Sequence, residues 1–134
     1  MYRVSREFDF CYGHRLIGYN GKCARLHGHN GSVLVVLEVD TLDDIGMAVD
    51  FAEVKRVVNG WINENIDHRM ILYRDDPIVE VLKKSGDEPY VLDRNPTAEN
   101  IARLIFDSVL ELGLPVVEVR FLETPACSAT YRPD

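Results

Sequence analysis

The chain has 134 residues, 28% of them charged, with a net charge of −7 and three cysteines. That length makes one domain, residues 1–134, with a core that needs no disulfides, and an odd cysteine count without scaffold spacing excludes a secreted disulfide framework. No apolar run approaches a membrane span, residues 1–4 do not begin a signal peptide, and an acidic chain without a basic helix argues against nucleic acid, so a cytoplasmic protein is expected.

Residues 2–12 alternate as a first strand in which Phe8, Phe10 and Tyr12 share parity with His14. Residues 13–26, rich in Gly, Asn, Arg and Lys, read as a loop. Residues 29–40 read as a second strand: Val33, Val35 and Leu37 share a face with His29, and Leu34 and Val36 on the other side predict burial on both faces. Asp43, Asp44 and Gly46 then break the pattern. Asp50 followed three residues later by Glu53 has the form of a capping box. Phe51, Val54, Val58, Trp61, Ile62 and Ile66 continue it as the apolar stripe of a helix. Residues 67–94 are mixed, broken by Pro77, Gly86 and Pro89, with a helical turn near 78–83. A second helix is expected from Asn95-Pro96-Thr97, with proline in its first turn and Gly113 closing it. Residues 116–123 form a third strand. Cys127–Tyr131 is a short fourth, with Cys127 read as core. The order ββααββ predicts an α+β fold, a four-stranded antiparallel sheet with two helices on one face. Its exposed edges predict a homo-oligomer joined through strands.

The chemistry concentrates early. Residues 1–29 hold five basic and two acidic side chains, a local +3 in a chain of −7, and three of the four histidines. In an extended segment His27 and His29 point to one face, which supplies half of a tetrahedral zinc shell. His14, at the end of the first strand, is the best third ligand. Cys23 either stands near an open catalytic position or closes the shell as a fourth, structural ligand. The positive island suits a small anionic ligand, or is simply a decorated loop. Asp67-His68 reads either as a proton-transfer pair, since a carboxylate orients an imidazole, or as a surface pair at a helix end. Glu123 ends a strand face made of Val117, Val119 and Phe121. A carboxylate there would hold an amino group and a ring N–H bidentately, or ion-pair with Arg120 or Arg132. No phosphate-binding loop, nucleophile elbow or His-Glu-x-x-His helix is present.

Taken in order, these residues resemble the 6-pyruvoyl-tetrahydropterin synthase and 6-carboxy-tetrahydropterin synthase family. The resemblance spans Phe8 to Leu16, Cys23 to Asn30, the stretch Gly46-Met47-Ala48-Val49-Asp50-Phe51, Asp67-His68, Pro96 to Ala102, and Glu123 with Tyr131. It implies the tunnelling fold, with ββααββ subunits joining their sheets into a trimeric barrel, two trimers forming a hexamer, and active sites between subunits. It also implies Zn2+ on His14, His27 and His29, Cys23 as the thiolate base and Asp67 with His68 as its proton-relay partners. Glu123 would anchor the pterin, with Thr97 helping to hold it. The substrate implied is 7,8-dihydroneopterin triphosphate. Three residues between Cys23 and His27 resemble the branch that makes 6-carboxy-tetrahydropterin for queuosine, releasing acetaldehyde and triphosphate. The other readings are the pyruvoyl-forming reaction on the same substrate and a non-catalytic zinc-containing pterin- or purine-binding module. The chain departs from the family at Gly31 and Ser32, where an aromatic and a basic residue are usual, at Cys11-Tyr12-Gly13, where small residues are, and at Tyr73.

Overall fold

A computed structural model describes all residues 1–134. Strand β1 (Tyr2–His14) and strand β2 (His27–Val39) pair antiparallel along their whole length, from Tyr2 opposite Val39 to His14 opposite His27. Helix α1 (Phe51–Asn65) follows, then β3 (Arg69–Tyr73), α2 (Ile78–Lys84), β4 (Tyr90–Leu92), α3 (Ala98–Glu111), β5 (Val116–Thr124) and β6 (Cys127–Tyr131). The strands form one sheet in the order β4-β3-β1-β2-β5-β6.

The sheet therefore has six strands and three helices accompany it, not the four and two expected. The additional elements all fall in the stretch that looked mixed. Strands β3 and β4 are only five and three residues long and run parallel to β1 and to each other. Their pairing depends on the distant end of β1, so no local alternation announces them. The helical turn near 78–83 is a full short helix.

Phe8, Phe10, Val33, Val35, Leu37, Val119 and Phe121 on one sheet face meet Val54, Val58, Ile62, Ile101, Ile105 and Val109 from α1 and α3 in a single buried cluster. Each such side chain contributes about 1.5–3 kcal/mol by leaving water. Val36, on the other face of the central β2, is buried too, as the two-sided apolar run predicts. Cys127 is exposed rather than core, because it opens the edge strand β6 beside the turn.

The helix starts follow their caps. Asp50 accepts from the Ala52 N–H at 2.8 Å, but Glu53 is engaged by Arg56 instead of reaching back, so the capping box is half formed. Thr97 caps α3, its hydroxyl oxygen accepting from Asn100 N–H at 3.2 Å, so the helix starts after Pro96 and the proline is not in its first turn. Pro96 lies one residue outside, and Gly113 closes the helix at φ +95°. The loop after β1 is clamped by Arg15, which forms a two-pronged ion pair with the buried Asp76 at 2.7 and 2.5 Å. Asp76 also accepts from Ile78 N–H at the start of α2.

Candidate active site

Strand β1 extends two residues past its expected end and β2 begins two residues early, and this extra length builds the site. His14 stands opposite His27, and Tyr12 opposite His29. Cross-strand partners share a face, so His14, His27 and His29 converge on the helix-covered side. Their rings lie 4.6 Å (14 to 27), 5.1 Å (14 to 29) and 5.0 Å (27 to 29) apart, centroid to centroid. One nitrogen from each falls within 4.8 Å of the other two.

The outer contacts favour metal binding. The His14 Nδ1–H donates to the Pro96 carbonyl at 2.7 Å and the His27 Nδ1–H to the Arg25 carbonyl at 2.6 Å. Each leaves Nε2 as a lone-pair donor, the tautomer a metal requires. The Nε2 atoms of His14 and His29 are buried without any hydrogen-bond partner, a costly state for polar atoms that a cation removes. Burial, partly opposed by the Pro96 carbonyl, pushes the His14 imidazole below its ordinary pKa, favouring the neutral ligand. The donor set fits a three-histidine zinc centre with an open position.

Cys23 lies in a single 3-10 turn, Lys22–Ala24, and its carbonyl accepts from Leu16 N–H at 2.8 Å. It shares an open cleft of about 910 Å³ with Lys22, Arg25, His27 and His29. Its sulfur is not among the mutually close metal donors, so the four-ligand closed shell is not formed. Lys22 and Arg25 make the cleft positive, as the local charge balance anticipates.

Glu123 turns inward at the end of β5, with Oε1 3.8 Å from His14 Nε2. Neither Arg120 nor Arg132 pairs with it; Arg120 Nε reaches Ser128 Oγ at 3.4 Å. One residue beside this group was not singled out from sequence. The Tyr12 hydroxyl is buried with no hydrogen-bond partner, like the two imidazole nitrogens, and burial together with Glu123 pushes its pKa upward. Its parity with His14 was the available signal. Gly31 makes room for the ring: a Cβ there would lie 2.9 Å from Phe121 and 3.2 Å from Tyr12.

The Asp67-His68 pair lies elsewhere. His68 is the chain's single non-glycine residue with positive φ, at +59°. Its N–H donates to the Cys11 carbonyl at 2.7 Å, and Cys11 N–H donates to Asp67 Oδ1 at 3.1 Å. The other carboxylate oxygen meets His68 Nδ1 at 3.0 Å, with the imidazole 78% exposed. The cavity beside it is bordered by Cys11, Gly13, Gly28 and Asn30, and by Tyr12 and His29 as well; the Cys11 and Asn30 side chains alternate with those of the three imidazoles along their strands and so point to the opposite sheet face. Within one subunit the donor atoms of the pair form a group separate from the three imidazoles. The Thr97 hydroxyl oxygen caps α3 and Thr97 does not line the Cys23 cleft; its neighbour Pro96 orients His14.

A sequence model of the family described as 6-pyruvoyl tetrahydropterin synthase matches residues 3–134. The chain belongs to that family. It is 37% identical to a 6-carboxy-5,6,7,8-tetrahydropterin synthase of Rickettsia bellii, covering 95% of this chain and 97% of the relative. It is 31% identical to the Haemophilus influenzae protein of the same name, covering 98% and 99%. The solved 6-pyruvoyl tetrahydropterin synthase of Caenorhabditis elegans superposes with a TM-score of 0.74 at 26% identity, covering 99% of this chain and 96% of that one. Family membership makes the chain a pterin-synthase type enzyme. No helix is long and apolar enough to cross a membrane.

Proposed function

We propose that this protein is a zinc-dependent 6-carboxy-5,6,7,8-tetrahydropterin synthase. It converts 7,8-dihydroneopterin triphosphate and water to the carboxypterin, acetaldehyde and triphosphate, in the 7-deazapurine (queuosine) route of the cytoplasm. The observation that carries the reading is the convergence of His14, His27 and His29, two of them with orphaned buried Nε2 atoms, at the edge of a cleft containing Cys23. The carboxy-forming reaction is preferred because the 37% and 31% identical relatives bear that name, and because three residues separate Cys23 from His27.

His14, His27 and His29 hold the zinc. When bound, it supplies Lewis acidity toward the oxygens of the substrate side chain. Glu123 anchors the pterin, its carboxylate accepting from the ring N–H and amino group, with Thr97 beside Pro96 supporting the ring from the start of α3. Cys23 accepts a proton from the substrate side chain, and His68, oriented by Asp67, returns one as triphosphate leaves. Lys22 and Arg25 draw the polyanion into the cleft.

Because Asp67 and His68 occupy the other sheet face, they serve the cleft of a neighbouring subunit. The open sheet, ending in β4 and β6, gives the edges through which three copies close a barrel, and two such trimers stack as a hexamer. The test is to incubate zinc-loaded protein with dihydroneopterin triphosphate and identify products by mass, with Cys23→Ala alongside. A carboxypterin, acetaldehyde and triphosphate from the wild type alone are expected. Triphosphate without acetaldehyde would move the assignment to the pyruvoyl-forming reaction, and tight binding without turnover would leave a pterin-binding module.

A further inference from the structure

We propose that Cys11, Asp67 and His68 form a second metal site, selective for soft divalent cations such as Zn2+ or Cd2+ and separate from the three imidazoles. A thiol sulfur, a carboxylate oxygen and an imidazole nitrogen from these residues lie within 4.8 Å of one another. They come from two segments locked together by backbone: Cys11 gives its N–H to Asp67 Oδ1 and takes the N–H of His68 on its carbonyl. The left-handed backbone of His68 is held by that bond, so the donors are positioned before any ion arrives. Asp67 Oδ2 and His68 Nδ1 stand 3.0 Å apart. Bonds of about 2.0–2.1 Å to a tetrahedral ion would separate the two by roughly 3.3 Å. Placing a cation between the two donors therefore requires only a small opening.

The surroundings are cationophilic. A cavity of about 580 Å³ on this side is lined by Asp9, Asn30 and Ser32 together with the three donors, and Asp87 borders the adjoining one. The positive neighbour within the subunit, Arg69, directs Nη1 to the Glu88 carbonyl at 3.3 Å. Thiolate and imidazole select zinc-like ions over Mg2+ or Ca2+, which take oxygen. Binding displaces the Cys11 thiol proton to solvent, while the imidazole proton shifts to Nε2, so one proton is released per ion. Resting on the synthase reading, occupancy would also remove the His68 imidazole from proton transfer, so excess zinc would inhibit the enzyme that one zinc activates.

The experiment is a Cd2+ titration of protein carrying one equivalent of zinc, followed by equilibrium dialysis and by the ultraviolet thiolate-to-metal absorption. Wild type and Cys23→Ser are expected to take a second ion with the thiolate band. Cys11→Ser and Cys11→Ala are expected to lose the band and at least tenfold in affinity for that ion. Turnover is expected to fall with excess zinc in the wild type and persist in Cys11→Ser. A thiolate band that survives Cys11→Ser, or disappears in Cys23→Ser, would overturn the proposal, as would one ion per chain at saturating Cd2+. The binding readouts use no substrate, so a failed synthase assignment leaves them intact.

Discussion

His14 and His27 face each other as the last cross-strand pair of β1 and β2, with ring centroids 4.6 Å apart and both Nδ1–H groups tied to backbone carbonyls. The ladder thus fixes ligand spacing before metal arrives, and the two carbonyls fix the tautomer. His27 is only half-buried, whereas His14 is sealed under the Pro96 carbonyl.

That asymmetry predicts separable effects. His27→Ala is expected to weaken zinc binding by more than about a hundredfold, beyond the cost of losing an outer partner, while metal-free stability changes by less than about 1 kcal/mol. Chelation of the wild type is expected to lower Tm, and zinc to restore it, because the ion binds only the folded chain. Calorimetry with and without chelator checks both. An unchanged wild-type Tm on chelation would refute metal loading at the trio.

Tyr12 is expected to be a stability liability in the metal-free protein. Its hydroxyl is buried without a partner, and an unmet donor costs about 1–3 kcal/mol. Tyr12→Phe removes the hydroxyl and retains the ring contacts with Phe10 and Phe121. Denaturant unfolding of the apo protein should show a gain of about 1 kcal/mol. A loss would mean that the hydroxyl is satisfied in solution.

How much of this was readable follows the range of the interactions. Strands β1, β2, β5 and β6 and both long helices rest on local alternation, stripes and caps; parity puts His27 and His29 on one face of β2 and His14 on the apolar face of β1, and the cross-strand register joins the two faces. Strands β3 and β4 are not legible in the sequence, since these short segments carry no pattern of their own; β3 pairs with β1 and β4 with β3. The Cys11–Asp67–His68 cluster joins residues more than fifty positions apart through backbone bonds, which no spacing rule encodes. In the sequence Tyr12 is an ordinary strand aromatic; its enclosure beside Glu123 marks it out.

Asp76 should govern part of the acid limb. Arg15 holds its carboxyl below the ordinary range, and the side chain is fully enclosed. A carboxyl with a depressed folded pKa stabilises the fold above its unfolded value of about 3.9, and that contribution disappears as pH falls through the folded value. Asp76→Asn is expected to cost about 3 kcal/mol at pH 7 and to flatten the stability decline below about pH 4. Equal slopes for variant and wild type across that window would show that the pair does not drive acid unfolding.

His68 gives the sharpest separation of stability from chemistry. Its φ of +59° places a non-glycine residue in the left-handed region, at roughly 1–2 kcal/mol, and the 78% exposed imidazole gains little from packing in return. Strain kept at an exposed histidine beside a carboxylate is consistent with a functional position. His68→Gly relieves the strain, so its Tm should equal or exceed that of His68→Ala by an amount equivalent to about 1 kcal/mol. Both variants should lose about 10²–10⁴-fold in kcat while still binding zinc at the trio. Glycine stabilising the fold with turnover intact would make the conformation an incidental feature of the turn and remove His68 from the mechanism.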